Sequence, residues 1–380
     1  MFDLDAFCRD LETIVNIDSN SMDPAGVNRV ADFLETGFKN LKWHTSRYRL
    51  HEEAGDYLTA ANREADRYDV LMIGHMDTVC PAGAALARPF RTDGAMAYGP
   101  GVSDMKAGTL AMYYIARELP TDVLDGLNIC IIMNPDEEIG SIYSRYMTME
   151  IAKRTDYAFV MEGTALNGVY TTRRCGNMNV GVSFKGIPQH SGYILEKRNA
   201  SAVVEMARWI LAVNALTDPG TFTTANVGLA EGGEGANIVP AHASMTVNFR
   251  FAEASRPEAI LLQLEDLRRT PSVEGTTAEI SVLSRTPPMV PTEDTERYIK
   301  RVEKVFDQIG QPFSLIDLRG GSSDGNYIAS TGTICLDSLG PRGGGGHTEN
   351  EYLHLDQVEE CIVRMVHLIK EIAEFKRSTA

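Results

Sequence analysis

The chain has 380 residues, 43% of them apolar and 23% charged, a balance that fits a folded soluble protein and excludes a disordered or collagen-like one. Lys and Arg number 36 against 52 Asp and Glu, and the net charge of −16 argues against nucleic acid or an anionic membrane as partner. The length exceeds the usual size of one domain, so two domains are expected.

The first ten residues are acidic and contain no uninterrupted apolar run, so neither a signal peptide nor a membrane span is expected. Leu4, Phe7, Leu11, Ile14 and Val15 fall on one face of an amphipathic helix. Six cysteines, at positions 8, 80, 130, 175, 335 and 361, lack Cys-x-x-Cys spacing and read as buried free thiols, as in a reducing cytoplasm. A second helical pattern covers residues 23–41, with Val27, Val30, Leu34, Phe38 and Leu41 on its apolar side. Residues 43–50 and 57–62 read as strands, and a sheet that begins with such a meander is mixed rather than purely parallel.

Residues 68–79 form the element around which the rest of the chain is arranged. Val70, Leu71, Met72 and Ile73 form a continuous apolar run, suited to a strand buried on both faces, and Gly74, His75 and Asp77 come directly after it. Turn chemistry over residues 98–108 then leads into a helix over 109–119 that Pro120 ends, which puts Asp104 at or near a helix amino terminus. Three later segments repeat the strand-then-ligand pattern. Residues 127–133 run into Asn134-Pro135-Asp136-Glu137-Glu138, residues 157–161 into Glu162, and residues 333–336 lead through a glycine-rich loop at 340–346 to His347. In an open α/β sheet ligands collect at the carboxyl ends of strands, so the four tips are expected to form one site.

From Gly176 the pattern changes to strand 177–184, helix 200–216, strands 221–230 and 244–251, helix 255–269 and strand 277–283. This βαββαβ order is that of a ferredoxin-like sandwich, inserted into the first domain, with residues 285–291 as a stiff proline-rich return. The expected division is 1–174, 175–286 and 287–380, the last part holding a helix at 295–309, strands near Leu315 and Ile334, and a terminal helix at 356–375.

His75, Asp104, Glu138, Glu162 and His347 suit a pair of divalent ions of zinc type, with Co²⁺ or Mn²⁺ as substitutes, because imidazole and carboxylate satisfy such ions at about 2.0–2.2 Å. Asp104 is assigned the bridge, since a carboxylate can span ions about 3.5–4 Å apart and Asp104 comes from a different element than the strand tips. Asp77 is placed to accept the other ring N–H of His75. Adjacent Glu137 and Glu138 point different ways, so Glu138 can ligate while Glu137 moves a proton from the attacking water to the leaving amine.

The motifs G-H-M-D-T-V, G-P-G-V-S-D-M-K-A-G, P-D-E-E-I-G-S, M-E-G, G-A-N-I-V-P and G-G-G-G-H-T resemble those of the zinc exopeptidase and amidohydrolase family that contains bacterial glutamate carboxypeptidase, aminoacylase, acetylornithine deacetylase and peptidase T. The resemblance implies a mixed-sheet α/β catalytic domain with an inserted lid and dimerisation domain, a small peptide or N-acyl amino acid as substrate, and a homodimer formed through the inserted domain. It implies that His75, Asp104 and Glu162 hold one zinc, that Asp104, Glu138 and His347 hold the other, and that Glu137 is the general base. His190 matches a lid histidine that reaches the partner subunit's site, Asn237 and Arg250 match lid residues that contact the substrate carboxylate, and the glycines around Gly345 offer N–H groups to substrate. A cis peptide between Asp104 and Met105 is also implied, and Glu rather than Asp at 162 looks like the glutamate carboxypeptidase branch.

Two other readings compete. Gly321-Ser322-Ser323-Asp324-Gly325 fits G-x-S-x-G, and Asp337 and His347 come after it in the order of an α/β-hydrolase triad, though few residues remain for the rest of that fold. A catalytically silent metal-binding scaffold is the second, and it predicts the loss of a ligand or of the base, none of which is missing.

Overall fold

Tyr68–His75 is a strand in which every residue after Tyr68 is buried, as its apolar run requires. The computed structural model describes residues 2–164 and 168–379. The chain divides into two compact units, one made of Met1–Thr172, Pro291–Asp317 and Ser323–Ala380, the other of Arg173–Val290 and Leu318–Ser322.

The first unit is built on a six-stranded sheet in the order His44–Tyr48, Tyr57–Ala61, Ile129–Asn134, Tyr68–His75, Thr155–Val160 and Ile334–Leu336. The first two strands pair antiparallel with each other, and Tyr57–Ala61 does so again with Ile129–Asn134. The rest of the sheet is parallel, with His75 opposite Asn134 and Ile73 opposite Val160. Four carboxyl ends therefore leave the sheet side by side, which is what a shared site needs.

Helices cover this sheet for reasons visible in their sequences. Leu4–Val15 starts at Asp3, whose side chain accepts the Ala6 N–H, and it buries Phe7, Leu11, Ile14 and Val15 while Leu4 stays exposed. Full burial of each such side chain is worth about 1.5–3 kcal/mol. Ala107–Glu118 packs against the sheet so tightly that a Cβ on Gly108 would lie 2.0 Å from the Met161 carbonyl oxygen, so only glycine allows the approach. Pro120 ends that helix as expected and also starts another, Thr121–Gly126, because a first helical turn needs no N–H from its leading residue.

The glycine-rich stretch before His347 differs from the loop expected of it. Gly340–Gly344 is a strand, with Gly343 opposite Leu353 and Gly344 opposite Tyr352. Glycine is required by proximity here, since a Cβ on Gly343 would meet Ser103 Oγ at 2.1 Å. No helix among the described residues is long and apolar enough to cross a membrane.

In the second unit the order is strand, helix, strand, strand, helix, strand, and the four long strands form an antiparallel sheet ordered Thr224–Gly232, His242–Phe251, Gly176–Lys185, Thr277–Thr286. Met178, Val180, Val182 and Phe184 alternate inward on one strand, as Val247, Phe249 and Phe251 do on its neighbour. Trp209 packs on them and donates its indole N–H to buried Glu205 at 3.0 Å. The segment Leu318–Ser322 belongs to this unit through its backbone: Arg319 O accepts the Cys175 N–H at 2.7 Å, and Gly320 O accepts Arg250 Nη1–H at 2.6 Å.

Candidate metal centre

His75 is the last residue of its strand and its side chain is 1% exposed. Its Nε2 lies 3.2 Å from Asp104 Oδ1 and 3.4 Å from Glu162 Oε1. The second imidazole, His347, has Nε2 at 3.2 Å from Asp104 Oδ2 and 3.0 Å from Glu138 Oε2. Asp104 thus stands between two histidines and turns one oxygen to each. Ligand atoms of His75, Asp104 and Glu138 lie within 4.8 Å of one another, and so do those of His75, Glu137 and Glu162.

The backbone holds Asp104 in this place. It sits in the irregular turn Val102–Lys106 ahead of the Ala107–Glu118 helix, and its peptide bond to Met105 is cis. Glu351, only 3% exposed, accepts the N–H groups of Gly101, Ser103 and Asp104 at 2.7–2.8 Å. Sequence reasoning passed over Glu351, whose one visible signal is its place shortly after His347. His347 itself adopts φ +64, a conformation that costs a non-glycine residue about 1–2 kcal/mol and clusters at functional sites. Gly345 at φ +71 precedes it, and a Cβ on Gly346 would come within 3.0 Å of Asp104 Oδ2.

Asp77 does more than its position suggested. The nearer partner of His75 Nδ1 is the Asp77 main-chain oxygen at 2.9 Å, with carboxylate Oδ1 at 3.3 Å. The carboxylate also accepts the Ser21 hydroxyl at 2.6 Å and the backbone N–H groups of Glu137 and Glu138, both at 3.1 Å. One buried aspartate therefore fixes the histidine and the Glu-Glu turn together. The far side of that turn is held by Asp324, also unforeseen, which accepts from Asn134 and Ser141 at 2.6 Å.

The electrostatics fit divalent cations. A carbonyl only accepts, so His75 Nδ1 must donate to it, and in a neutral ring Nε2 then points a lone pair at two carboxylates, which is repulsive unless a cation lies between them. Glu138 Oε1 is buried with no hydrogen-bond partner among the described residues. Burial pushes the Glu138 carboxyl up to about 8 and that of Glu137 well above the usual range, while His347 is raised to about 9, chiefly by its hydrogen bond to Asp104.

The serine-hydrolase triad is not assembled. Ser323 Oγ donates directly to Asp337 Oδ2 at 2.5 Å, is buried, and caps the helix Asp324–Ala329, whereas His347 turns to Asp104 and Glu138. No imidazole stands between the hydroxyl and the acid, so Ser323 is a helix cap.

His190, Asn237 and Arg250 all lie in the second unit. His190 and Asn237 are brought together by the short pairing of Gln189–His190 with Ile238–Val239, and Asn237 O accepts the Ser191 N–H at 2.9 Å. His190 is exposed, and its Nδ1 accepts from the Gly192 N–H at 3.1 Å. Arg250 spends Nη1–H on Gly320 and engages no carboxylate of a described residue.

A family model described as peptidase family M20/M25/M40 matches residues 71–371. Carboxypeptidase G2 of Pseudomonas sp. strain RS-16 is 27% identical over 375 residues, covering 98% of this chain and 90% of that protein. A succinyl-diaminopimelate desuccinylase of Delftia acidovorans is 27% identical over 320 residues, 78% of this chain and 79% of that one. Among solved structures, a tripeptidase of Staphylococcus aureus matches with a TM-score of 0.81 at 22% identity, covering 98% of this chain and all of that one (100%). A metallo-carboxypeptidase of Sulfolobus solfataricus matches at 0.76 and 17% identity, over 98% and 100% of the two chains.

Proposed function

Since the chain belongs to peptidase family M20/M25/M40, a family of metal-dependent peptidases and amidohydrolases, we propose that it is a dinuclear metal hydrolase cutting the amide bond next to a free carboxylate in small peptides or N-acyl amino acids. The observation that carries this reading is Asp104, which divides its two oxygens between His75 and His347 with Glu137 close by. His75, Asp104 and Glu162 would hold one ion and Asp104, Glu138 and His347 the other, with zinc as the metal. When bound, the ions supply Lewis acidity, which polarises a carbonyl and acidifies water.

Glu137 is the proton carrier. Its carboxylate accepts no hydrogen bond from a described residue, and Asp77 anchors its backbone, so it is held in place yet uncommitted. It takes a proton from the attacking water and delivers it to the leaving amine. Burial raises its pKa above the ordinary carboxylate range, the direction that helps a carboxyl group hold a proton between taking it and passing it on.

Arg250 still has Nη2 and Nε to offer a substrate carboxylate, with Asn237 and the Gly345 N–H as further donors. Turnover should therefore collapse when the carboxylate beside the scissile amide is esterified or amidated, and change less when the acyl group is varied. A panel of N-acyl amino acids, dipeptides and their blocked forms, assayed on wild type and Arg250→Ala, measures this. Equal turnover of free and blocked substrates by the wild type would refute carboxylate reading.

His190 is proposed to serve the partner subunit's site in a homodimer formed through the second units. Because Nδ1 accepts from Gly192, the proton of a neutral ring is on Nε2, ready to donate to the oxyanion that develops as water adds to the carbonyl. Removing such a donor costs about 10²–10³ in turnover. Mixing inactive His190→Ala with inactive Glu137→Gln subunits should restore up to about a quarter of wild-type activity per chain, since half the random dimers carry one intact site. A mixture that stays inactive despite proven subunit exchange would put His190 to work in its own chain or not at all.

A further inference from the structure

The first unit holds a cavity of about 230 Å³ whose wall includes Thr164, Tyr170, Gln311, Arg342, Glu360 and Arg364. Arg364, on the helix Val358–Thr379, is only 6% exposed, and among the described residues of this unit it is the one buried arginine. Its partners are neutral oxygens: Nη1–H donates to Gln311 Oε1 at 3.2 Å, and Nη2–H to Leu339 O at 2.9 Å and Gly340 O at 3.4 Å. Its Nε–H meets no acceptor among the described residues. Arg9 and Arg49 also lack a carboxylate, but they are exposed and water serves them. A guanidinium withdrawn from water has no such recourse, and burying a charge without a counter-charge is costly. Tyr170 adds a second idle donor. It is 2% exposed, its ring packs on Phe306 and Phe313, and its hydroxyl makes no hydrogen bond with a described residue. Half-buried Arg342, on the strand Gly340–Gly344, brings another guanidinium to the wall, whereas the carboxylate there, Glu360, is exposed and hydrated. The wall is therefore positive within a chain of net charge −16, and the guanidinium fork suits the oxygens of a carboxylate or phosphate.

We propose that this cavity binds a small oxyanion, a carboxylate or a phosphate, as the counter-ion of Arg364, with Arg342 and the Tyr170 hydroxyl as further donors. The volume admits several heavy atoms, since one water takes about 30 Å³. Occupancy has a route to the metal centre. Gly340, on the cavity wall, donates its N–H to Glu162 O at 2.9 Å, and Thr164 Oγ1 donates to Gly340 O at 3.1 Å. The wall is thus the strand pair Gly163–Thr164 and Gly340–Gly344, which comes directly after Glu162 and leads on to His347. A bound oxyanion ties that pair together and slows the loss of zinc.

The test is calorimetric titration of inorganic phosphate, and separately of acetate, into the zinc-loaded protein at constant ionic strength set with chloride. It needs no turnover, so its outcome does not depend on whether the chain cuts amides. At least one of the two should bind saturably at one site per chain, and the tighter one identifies the oxyanion as phosphate or carboxylate. Arg342→Gln should weaken that binding about tenfold or more, and Tyr170→Phe, which keeps the ring and its packing, about threefold or more. Arg364→Lys keeps the charge but loses the fork and should weaken it as well; if that variant does not fold, the other two decide. Neither anion binding above the chloride background overturns the proposal. Binding that Arg342→Gln and Tyr170→Phe leave unchanged overturns it too, because the anion then sits on the zinc ions. Zinc release to a chelator should be slower with the oxyanion bound in wild type and unaffected by it in Arg342→Gln. Equal release with and without it in wild type refutes the link to the metal centre.

Discussion

Glu137→Gln is expected to lower turnover by about 10²–10⁴-fold while leaving metal content close to that of the wild type. The substitution keeps the side chain's size, and the backbone N–H that Asp77 accepts is untouched, so the Glu-Glu turn has no reason to move. What disappears is the capacity to take a proton. Distance alone does not separate Glu137 from the ligands, because its carboxylate shares the 4.8 Å cluster with His75 and Glu162. The separation is chemical, and Glu138→Gln supplies the contrast: Glu138 Oε2 faces His347, so its loss should weaken metal binding first and turnover as a consequence. Elemental analysis beside steady-state kinetics reads both. If the two variants lose metal equally and activity in step, the division of labour between neighbours is wrong.

Stripping divalent ions with a chelator should abolish hydrolysis altogether, and added Zn²⁺, Co²⁺ or Mn²⁺ should restore it, with close to two ions per chain at saturation. Stability should move too. Ions at a hundred times their dissociation constant add about 2.7 kcal/mol each to the folded state, so the stripped protein should melt several degrees lower. The physical reason is the crowding of Asp104, Glu137, Glu138 and Glu162 around two imidazoles, where burial already drives Glu137 and Glu138 toward protonation. Fewer than one ion per chain under saturating zinc, or melting indifferent to chelation, would remove the bridged pair from consideration.

How local each signal is decides which parts of the fold and the site could be read from the sequence. The strands expected at 70–73, 127–133 and 157–161, found as parts of Tyr68–His75, Ile129–Asn134 and Thr155–Val160, were legible because continuous apolar runs need no partner to be recognised, and the residue types directly after them are ones able to ligate a metal. The place of Asp104 at a turn leading into a helix was legible too, from the Gly-Pro-Gly turn and the apolar helical pattern after it. The strand Gly340–Gly344 was not, because glycine carries no strand preference; what selects it is the proximity of Ser103, some 240 positions earlier. Glu351 and Asp324 escaped because their partners, the N–H groups of 101–104 and the side chains of Asn134 and Ser141, lie far away in the chain. Ser323 offered a false signal, since five residues suffice to write G-x-S-x-G and a helix cap writes it as readily as a nucleophile does.

The pentapeptide Leu318–Ser322 has a consequence for anyone who cuts or grafts this chain. The second unit looks excisable as residues 173–290, yet such a piece leaves behind the carbonyl of Arg319 that takes the Cys175 N–H, the carbonyl of Gly321 that takes Arg174, and the carbonyl of Gly320 that orients Arg250. A chimaera that imports this unit from a relative must import the pentapeptide from the same donor, and a truncated version of the unit alone would present Arg250 without the contact that aims it.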